Sequence, residues 1–491
     1  MTSTDDRGAY KAAARHATRL PGPALAAFYT GVCLMPLALA IFAQPAPGDR
    51  WERAAAGLGM VAVLAMAVQF VTSGRFDAVS RHLGIDKIMA FHKIAAWWVL
   101  VAVVLHPLFY VLPTWIEAPA LGRERLEFYL ISPHYRSGVV SWVAFVLLMG
   151  TSLLRERLPW RYEVWRATHL PLGVVAVAGG LHHALAAGRF SGAAPLPPLW
   201  LATGTAVAAV VFVLYGWRWL QLHLRPWRLA AVSRVADRMC QLQVEPAPGT
   251  PPMAYRAGQF VWMTVGRRRF PLFDHPFSLS DSPRDPGMKL IIKEAGDFTS
   301  KVGTLAPGTP IGLDGPYGEF VLEATDADAV VLIAGGVGIA PIMGLLRDMV
   351  ARGERRPIRL AYAAGAPANF AFLDEISAAR EHLDLHVLLL SETSTTGWRG
   401  EIGMLDAPRL RTLLDGLDPA RSVAMMCGPG GMVSAVSDAL LGLGFPMDGV
   451  IYERFDYAGG ASRQDRRRTR HFATIGGGLA AGVAAFAFAS G

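Results

Sequence analysis

Six apolar runs in the first half of this 491-residue chain are each long enough to cross a membrane, and they constrain the fold more than any other feature. About 20 helical residues span the roughly 30 Å of hydrocarbon in a bilayer. Hydrophobic residues make up 52% of the chain and charged residues 18%, which excludes a disordered or fibrous protein. The sequence therefore predicts a bundle of six transmembrane helices, near residues 24–43, 54–73, 94–113, 137–154, 167–187 and 198–217.

Basic residues collect at alternate ends of these runs. They precede the first run and follow the second, fourth and sixth, whereas the other connecting segments are poorer in them or balanced by acidic residues. Because such basic flanks stay in the cytoplasm, we expect both ends of the bundle on the cytoplasmic side of a bacterial-type inner (plasma) membrane. We therefore attribute the net charge of +8 to insertion in a lipid bilayer and not to binding of nucleic acid. The residues concerned are Arg7, Lys11, Arg15, Arg19, Arg75, Arg81, Lys87, Arg155, Arg157, Arg161, Arg166, Arg218, Arg225 and Arg228.

Histidines lie at two depths in the third and fifth runs. His92 and His106 are 14 residues apart, and His169 is 13 or 14 residues from His182 and His183. At 1.5 Å per residue, the two imidazoles of each run lie about 20 Å apart along the helix. The two runs cross in the same direction, so two bis-imidazole sites stacked across the membrane are predicted. Haem iron with two such axial ligands is a one-electron carrier.

Spacing alone does not decide whether His182 or His183 is the second histidine of the fifth run. A step of 14 residues returns to nearly the same helix face, which favours His183, whereas a kink at Pro171 would restore His182. Histidines with a purely structural or proton-relay role are the alternative to metal binding. Zinc is not favoured, because four histidines divided between two depths cannot complete one tetrahedral shell. The three cysteines are far apart and form no metal-binding cluster.

The residue pattern of the sequence changes after Arg228. Short β-rich segments broken by glycine and proline predict a small β-barrel over residues 228–324. From Ala329 the pattern becomes strand, glycine turn and helix, which predicts a parallel α/β domain over residues 325–457. Residues 1–23 form a predicted cytoplasmic segment, and residues 24–222 the membrane domain.

Four short motifs in this half predict nucleotide binding. H-P-F-S and G-D-F-T offer an aromatic surface, a hydroxyl and a glycine turn for a flavin diphosphate. A-G-G-V-G-I-A-P and C-G-P-G-G each place glycines before a predicted helix, a common diphosphate site. The predicted flavin residues are His275, Pro276, Phe277, Ser278, Gly296, Asp297, Phe298 and Thr299, and the predicted nicotinamide-nucleotide residues are Gly335, Gly336, Gly338, Pro341, Gly428 and Pro429.

The C-terminal segment, residues 458–491, begins with a basic stretch and ends in an apolar one. Residues 472–490 would make a helix about 28 Å long. The small residues Gly478 and Gly482, four apart, favour a seventh helix packed on the bundle, whereas the low hydrophobicity of glycine and alanine favours a loose tail. The sequence leaves both open.

Together these motifs resemble the ferric reductase and NADPH oxidase superfamily, in which a six-helix, two-haem membrane domain is fused to a flavin reductase of the ferredoxin-NADP reductase type. The resemblance covers residues 24–457. It implies FAD, two haem b groups and NAD(P)H, with oxygen or a ferric chelate as the acceptor and no obligate protein partner. A quinone reductase, or a transport or sensing protein that only binds nucleotide, is the alternative.

The resemblance also implies roles for individual residues. It aligns the histidine motif of the fifth run at His169 and His182, so the implied haem ligands are His92, His106, His169 and His182, with His183 as the alternative. An aromatic residue that lies over the flavin in the family corresponds to Phe455. Phe455 and Cys427, the first residue of C-G-P-G-G, are the candidate catalytic residues.

Departures from the family pattern concern the acceptor and the cofactor. A histidine one turn beyond the outer ligand of the third run is Tyr110 here, and the first run contains no arginine. Residues 360–379 contain neither Arg nor Lys, and Arg399 is the nearest candidate for the extra phosphate of NADPH, so weak discrimination between NADH and NADPH is predicted. Trp97 and Trp98, between the histidines of the third run, are candidates to shorten electron transfer.

Overall fold

A computed structural model describes residues 22–43, 48–73, 76, 85–190, 194–266, 269–285, 287–322, 327–455 and 462–489. The basic residues Arg7, Lys11, Arg15, Arg19, Arg75 and Arg81 lie outside these ranges. The chain forms two compact units, which divide at Trp217 and Arg218 and again at Arg467 and Arg468. We call the described residues of 22–217 and 468–489 the membrane unit, and those of 218–467 the nucleotide unit.

Six long helices of the membrane unit arise from the six apolar runs. Asp49 begins the second helix, since its side chain accepts hydrogen bonds from the backbone N–H groups of Trp51 (2.8 Å) and Glu52 (2.9 Å). A short helix that the sequence did not predict lies between the third and fourth runs. In chain order the helices are α1 (Gly22–Ala43), α2 (Arg50–Val71), α3 (Ile85–Glu117), the short α4 (Pro119–Ile131), α5 (Arg136–Leu153), α6 (Tyr162–Ala186) and α7 (Leu196–Val211), which continues through a π-helical turn (Phe212–Trp217) into α8 (Arg218–Leu224) of the nucleotide unit.

Small side chains determine how the bundle packs. Residues 54–57 of α2 are three alanines and a glycine, all buried. Small residues let helix backbones approach closely, which is the main source of packing energy between helices in lipid. α2 packs mainly on α3, and α5 packs mainly on α6. The two helices that carry the histidines, α3 and α6, therefore have separate packing partners.

The first part of the nucleotide unit is a six-stranded antiparallel sheet with the order β4-β3-β6-β1-β2-β5. Beyond the end of β4, Leu279 forms an isolated bridge with Leu290 of β5, and the Ser280 N–H donates to the Lys289 carbonyl (2.9 Å). An antiparallel sheet whose edge strands meet at one bridge thus occupies the place of the predicted barrel. Its strands are β1 (Trp227–Ala236), β2 (Met239–Pro246), β3 (Phe260–Val265), β4 (His275–Ser278), β5 (Met288–Lys293) and β6 (Pro310–Tyr317).

The second part is a six-stranded parallel sheet with the order β10-β9-β8-β7-β11-β12. Every residue of β7 and β11 is buried. The strand order reverses between β7 and β11, and ligands of parallel sheets bind outside the carboxyl ends of the strands at such a point. The elements are β7 (Ala329–Gly335), α9 (Ile339–Arg352), β8 (Ile358–Ala364), α10 (Leu373–Ala379), β9 (Leu385–Ser391), β10 (Glu401–Ile402), α11 (Ala407–Leu413), β11 (Ser422–Gly428), α12 (Gly430–Gly442) and β12 (Val450–Arg454).

The C-terminal segment forms a long helix, α13 (Arg463–Phe488). Its apolar residues join the core of the membrane unit: Phe486 is 1% exposed and packs on Phe190, and Gly482 lies so close to Leu34 that an added Cβ would come within 2.6 Å of that side chain. Among the described residues, seven helices are long and apolar enough to cross a membrane, and α13 is one of them. A seventh helix packed on the bundle, rather than a loose tail, is therefore the outcome.

Candidate functional site

His106 of α3 and His183 of α6 face each other inside the membrane unit. Their ring centroids are 6.3 Å apart and their planes are nearly perpendicular, at 80°. His182 is exposed and points away from this pair. The helix α6 continues through Pro171, so the 14-residue step from His169 ends on the same face at His183. The structure therefore brings His183 to His106, where the family alignment had favoured His182.

The two rings are held by their surroundings. His106 Nδ1 lies 2.7 Å from the Ala55 carbonyl oxygen, which only accepts a hydrogen bond, so Nδ1 carries the proton and Nε2 keeps its lone pair. An added Cβ at Gly59 of α2 would lie 2.7 Å from the His106 ring, and one at Gly138 of α5 would lie 2.8 Å from the His183 ring. Glycine at these two positions leaves the space that the imidazoles occupy.

His92 and His169, on the same two helices, lie close enough to interact electrostatically. Ser152 Oγ lies 3.1 Å from His169 Nδ1, and Gln69 Nε2 donates to the His92 carbonyl oxygen (3.1 Å). A basic group is close by: the Arg155 guanidinium lies 4.8 Å from the centre of the Trp165 ring, which in turn is 5.1 Å from the His169 ring. The pairing of His92 with His169 as haem ligands stays a prediction.

The two pairs fit haem better than a bare metal ion. No group of three or more His, Cys, Asp or Glu residues able to hold a metal occurs among the residues that the structure describes, so each pair can supply only two ligands. Metal–imidazole bonds are about 2 Å long, which places the centroids of two rings on one metal about 6 Å apart. The 6.3 Å between His106 and His183 matches that distance. Within the described ranges, the buried Nδ1 atoms of His92 and His183 have no hydrogen-bond partner.

Aliphatic side chains separate the two pairs. Val99 and Ala176 lie midway between the histidines of α3 and α6, on the same helix faces, and both are buried. Trp97 is half exposed, whereas Trp98 points to α13, where an added Cβ on Gly476 would lie 2.6 Å from its indole nitrogen. Neither tryptophan lies on the face shared by the histidines, so the structure does not favour them as a bridge.

Tyrosines surround the His106 and His183 pair on the side away from His92. The Tyr110 ring packs edge-on against His106 (5.5 Å), and Tyr135 lies 6.1 Å from His183. Tyr129 of α4 joins them, at 6.0 Å from Tyr110 and 4.9 Å from Tyr135. The unpredicted helix α4 is thus the element that completes the aromatic surround.

An ion cluster adjoins these tyrosines. Glu52 pairs with Arg125 (Oε1 to Nη2, 2.7 Å) and with Arg189 (Oε2 to Nη1, 2.7 Å), and Arg189 also hydrogen-bonds Tyr110. Arg125 donates to Tyr129 Oη (3.3 Å) as well. Sequence reasoning counted these residues only as charges of connecting segments. Arg and Glu are mixed in the first two of these segments, whereas the third has only Arg189, so no local pattern marks the cluster.

The two predicted flavin motifs come together in the nucleotide unit. His275 of β4 stacks on Phe298, with ring centroids 4.0 Å apart and planes at 19°, and Phe277 lies 6.2 Å from Phe298. Thr299 Oγ1 accepts hydrogen bonds from the N–H groups of Ala295 (2.8 Å) and Gly296 (3.0 Å), which fixes the turn of G-D-F-T. The result is a flat aromatic surface beside a tight, internally hydrogen-bonded turn.

The two predicted nicotinamide motifs also meet. Cys427 pairs in register with Ala334, so both glycine turns lie at the carboxyl ends of neighbouring strands, and α9 and α12 begin directly after them. An added Cβ on Gly428 would lie 3.1 Å from the Gly335 Cα, and Gly336 has a φ of +55°, which glycine adopts without strain. Two helix N-termini with closely approached backbones suit a diphosphate.

The two candidate catalytic residues differ in exposure. The Cys427 side chain is fully buried in the core beneath the glycine turns. Phe455 is 46% exposed and directly follows Arg454, which pairs in register with Gly428. Phe455 thus lies at the strand edge that carries the C-G-P-G turn.

Three protein families match successive parts of the chain. Residues 58–180 match a ferric reductase like transmembrane component, residues 225–320 a FAD-binding domain, and residues 332–438 an oxidoreductase NAD-binding domain. These matches agree with the order of motifs read from the sequence and with the two units of the structure.

Curated relatives match part of the chain. The reductase component of propane 2-monooxygenase from Rhodococcus jostii is 30% identical over 36% of this chain and 50% of its own length. A flavohemoprotein of Deinococcus radiodurans is 29% identical over 49% of this chain and 60% of its length, and the sulfhydrogenase 2 subunit gamma of Pyrococcus furiosus is 32% identical over 40% and 70%. The chain thus spans about half to three fifths of the first two relatives. With its ferric-reductase-like membrane component followed by FAD-binding and NAD-binding domains, this chain is an oxidoreductase that belongs to the ferric reductase and NADPH oxidase superfamily.

Proposed function

We propose that the protein transfers electrons from cytoplasmic NAD(P)H, through FAD and two haem b groups, to oxygen or ferric iron on the outer side of the membrane. The observation that carries this proposal is the His106–His183 pair, 6.3 Å apart in a bundle of the ferric reductase type. The same chain supplies the flavin and nicotinamide motifs that such a reaction needs.

His92 with His169, and His106 with His183, would hold the two haems. FAD supplies the step from hydride to single electrons, and haem iron carries those electrons one at a time. Ala55 fixes the proton on His106 Nδ1, and Ser152 is placed to orient His169. Guanidinium groups near both pairs, Arg155 at one and Arg189 at the other, suit the carboxylates of a haem.

In the nucleotide unit, His275–Ser278 and Gly296–Thr299 would bind FAD, and the turns at Gly335–Pro341 and Cys427–Pro429 would bind the nicotinamide nucleotide. The stack of His275 on Phe298 and the meeting of the two glycine turns support this assignment. Phe455 would cover the flavin face until nicotinamide replaces it. The buried Cys427 would support the nicotinamide turn from below.

The direction of transfer rests on charge. Arg155, Arg157, Arg161 and Arg166 all lie between α5 and the first turns of α6, at the end of the bundle that carries His92 and His169. Because basic flanks stay in the cytoplasm, this pair would be the inner one, and the FAD and NAD(P) domains would lie inside. His106, His183 and helix α4 then face the outer side.

Charge at the outer pair bears on the acceptor. Two arginines against one glutamate leave one excess positive charge beside the tyrosines. Such a field stabilises an acceptor that carries negative charge, like an anionic ferric chelate, or that gains it, like oxygen on its conversion to superoxide. If His106 and His183 both bind the iron, no ligand position is left open, and the acceptor would react at the edge of the site and not at iron.

The test uses the purified full-length protein. A bis-histidine haem spectrum, reduced by NADH or NADPH under anaerobic conditions, is expected, and oxygen or a ferric chelate should then reoxidise it. Rapid reoxidation by a quinone alone would instead identify a quinone reductase. A colourless protein that binds nucleotide would contradict the proposal and support transport or sensing.

A further inference from the structure

The first turn of α13 is built into the nucleotide unit. The Arg463 N–H donates to Asp438 Oδ1 of α12 (2.8 Å), and the Arg466 guanidinium lies 3.7 Å from Asp438 Oδ2. This contact is separate from the packing of the later turns of α13 in the membrane unit. The start of α13 therefore contacts the domain that carries the nicotinamide motifs.

Asp465, in the same turn, is the centre of a denser cluster. Its Oδ2 accepts hydrogen bonds from Arg454 Nη2 (2.6 Å), the Ser462 N–H (3.0 Å) and Ser462 Oγ (2.7 Å), and its Oδ1 accepts one from Tyr452 Oη (3.1 Å). The Arg454 and Asp465 side chains are only 12% and 16% exposed. A guanidinium with so little exposure to solvent needs its carboxylate partner to stay in this position, because an unpaired buried charge is costly.

The position of Arg454 connects this ion pair to Phe455. Arg454 is the last residue of β12, pairs in register with Gly428, and directly precedes Phe455. Its guanidinium also donates to Ser434 of α12 (3.3 Å) and lies 5.0 Å from the centre of the Tyr452 ring. A residue that fixes Arg454 therefore fixes the backbone from which Phe455 projects, beside the C-G-P-G turn.

We propose that Asp465 is a positioning residue of the nicotinamide site, which holds Phe455 in place through Arg454. The inference rests on the proposed function, since it needs Phe455 to cover the flavin. Nicotinamide must displace this ring, and the apparent affinity of a ligand falls with the fraction of protein in the competent state. A more loosely held ring is displaced at a smaller cost. The first turn of α13 thus sets how readily the nucleotide enters.

The experiment compares the full-length Asp465→Asn variant with the full-length wild-type protein. Steady-state kinetics are measured with NADH as the reductant. We expect the variant to lower the KM for NADH at least about threefold, while Asp465→Glu restores the original value. Asp438→Asn is the matched control, because Asp438 also binds the start of α13 but does not contact Arg454. It should leave the KM unchanged.

The role of Phe455 is tested by a double-mutant cycle. Non-additive effects are expected only where two residues act through one another. In a Phe455→Ser background, Asp465→Asn should therefore no longer change the KM. An equal change in both backgrounds, or no change with the wild-type ring, would overturn the inference.

Two further measurements keep the result interpretable. If Asp465→Asn does not fold, Ser462→Ala removes the two hydrogen bonds that the Ser462 hydroxyl makes with Asp465, to its carboxylate and from its N–H, but keeps the ion pair with Arg454. It should lower the KM in the same direction by a smaller factor. An unchanged KM in that variant would then count against the inference. The dithionite-reduced haem spectrum should be the same in every variant. Absence of NADH-dependent reduction in the wild-type protein would refute the proposed function itself, a result distinct from an unaltered KM.

Discussion

His106 and His183 face each other with ring centroids 6.3 Å apart, although they are 77 residues apart in sequence and lie on helices that pack mainly on other partners. The separation leaves room for one metal between two imidazole nitrogens. A fixed proton on His106 Nδ1 leaves the opposite nitrogen available as a ligand. This relationship leads directly to the first expectation.

Replacement of His183 by Ala should remove one of the two haems, because the His106 site then keeps a single ligand. Replacement of the exposed His182 by Ala should leave both. Haem content per chain, measured by pyridine haemochrome, distinguishes the two variants. The reverse result would restore the assignment favoured by the family alignment.

Gly59→Ala should disturb the same site without touching a ligand. An added Cβ would lie 2.7 Å from the His106 ring, and such overpacking costs about 1–3 kcal/mol. We expect partial loss of one haem and an altered low-spin electron paramagnetic resonance signal. Gly150→Ala of α5 is the control, since an added Cβ there meets no atom within 4 Å. Equal effects of both substitutions would show that general helix perturbation is responsible.

Much of the membrane unit could be predicted because its determinants are local. The apolar runs give the helices, and the 14-residue step gives the face shared by His169 and His183. Local periodicity favoured His183, which is the residue that the structure places beside His106; whether His183 or His182 binds haem stays a prediction. Trp98 could not be placed from the sequence, because its direction depends on Gly476, which is distant in the chain.

Two features could not be predicted because they join segments far apart in the sequence. Glu52 meets Arg125 and Arg189 only after three connecting segments have been brought together by the bundle. Asp465 meets Arg454 only because α13 folds back on β12. In both cases the residues are common surface types, so composition carries no signal of a buried or shared ion pair.

Glu354 should make the nucleotide unit sensitive to acid. Burial alone would raise the pKa of Glu354, but hydrogen bonds and charge from Arg356, with further charge from Arg352, lower it to about 2. Its contribution is therefore complete above about pH 4.5 and is lost as the pH falls from there to about 2. After allowance for solvent screening this amounts to about 1–2 kcal/mol.

The measurement is the urea midpoint of unfolding as a function of pH. Glu354→Gln should lower the midpoint at pH 7 and flatten its decline between about pH 4.5 and 2. Glu381→Gln, which alters an exposed carboxylate, should do neither. A wild-type midpoint that does not fall in this range would contradict the assigned pKa.

NADH should be used at least as well as NADPH. The Arg347 guanidinium lies 5.0 Å from the centre of the Phe372 ring, at the end of the loop after β8, and is already bound by both oxygens of Glu375 (2.6 and 2.7 Å). Arg399 then remains the candidate for the extra phosphate. A ratio of kcat/KM in favour of NADPH above about a hundredfold, or 2.7 kcal/mol, would refute this expectation. Arg399→Gln should lower activity with NADPH and leave that with NADH unchanged.

The last expectation concerns the acceptor. Glu52→Gln keeps the shape of the side chain but removes the charge that neutralises Arg125 and Arg189, so the field beside His106 and His183 becomes more positive by one charge. Stopped-flow reoxidation by an anionic ferric chelate should become several-fold faster at low salt and approach the wild-type rate at high salt, because such steering is screened. The rate of reoxidation by a neutral quinone should change less. Glu124→Gln makes the same change in net charge on the exposed face of α4, and it should leave the rate near that of the wild type. If both variants accelerate the chelate equally, the effect belongs to overall charge, and the arginine cluster is not where the acceptor approaches.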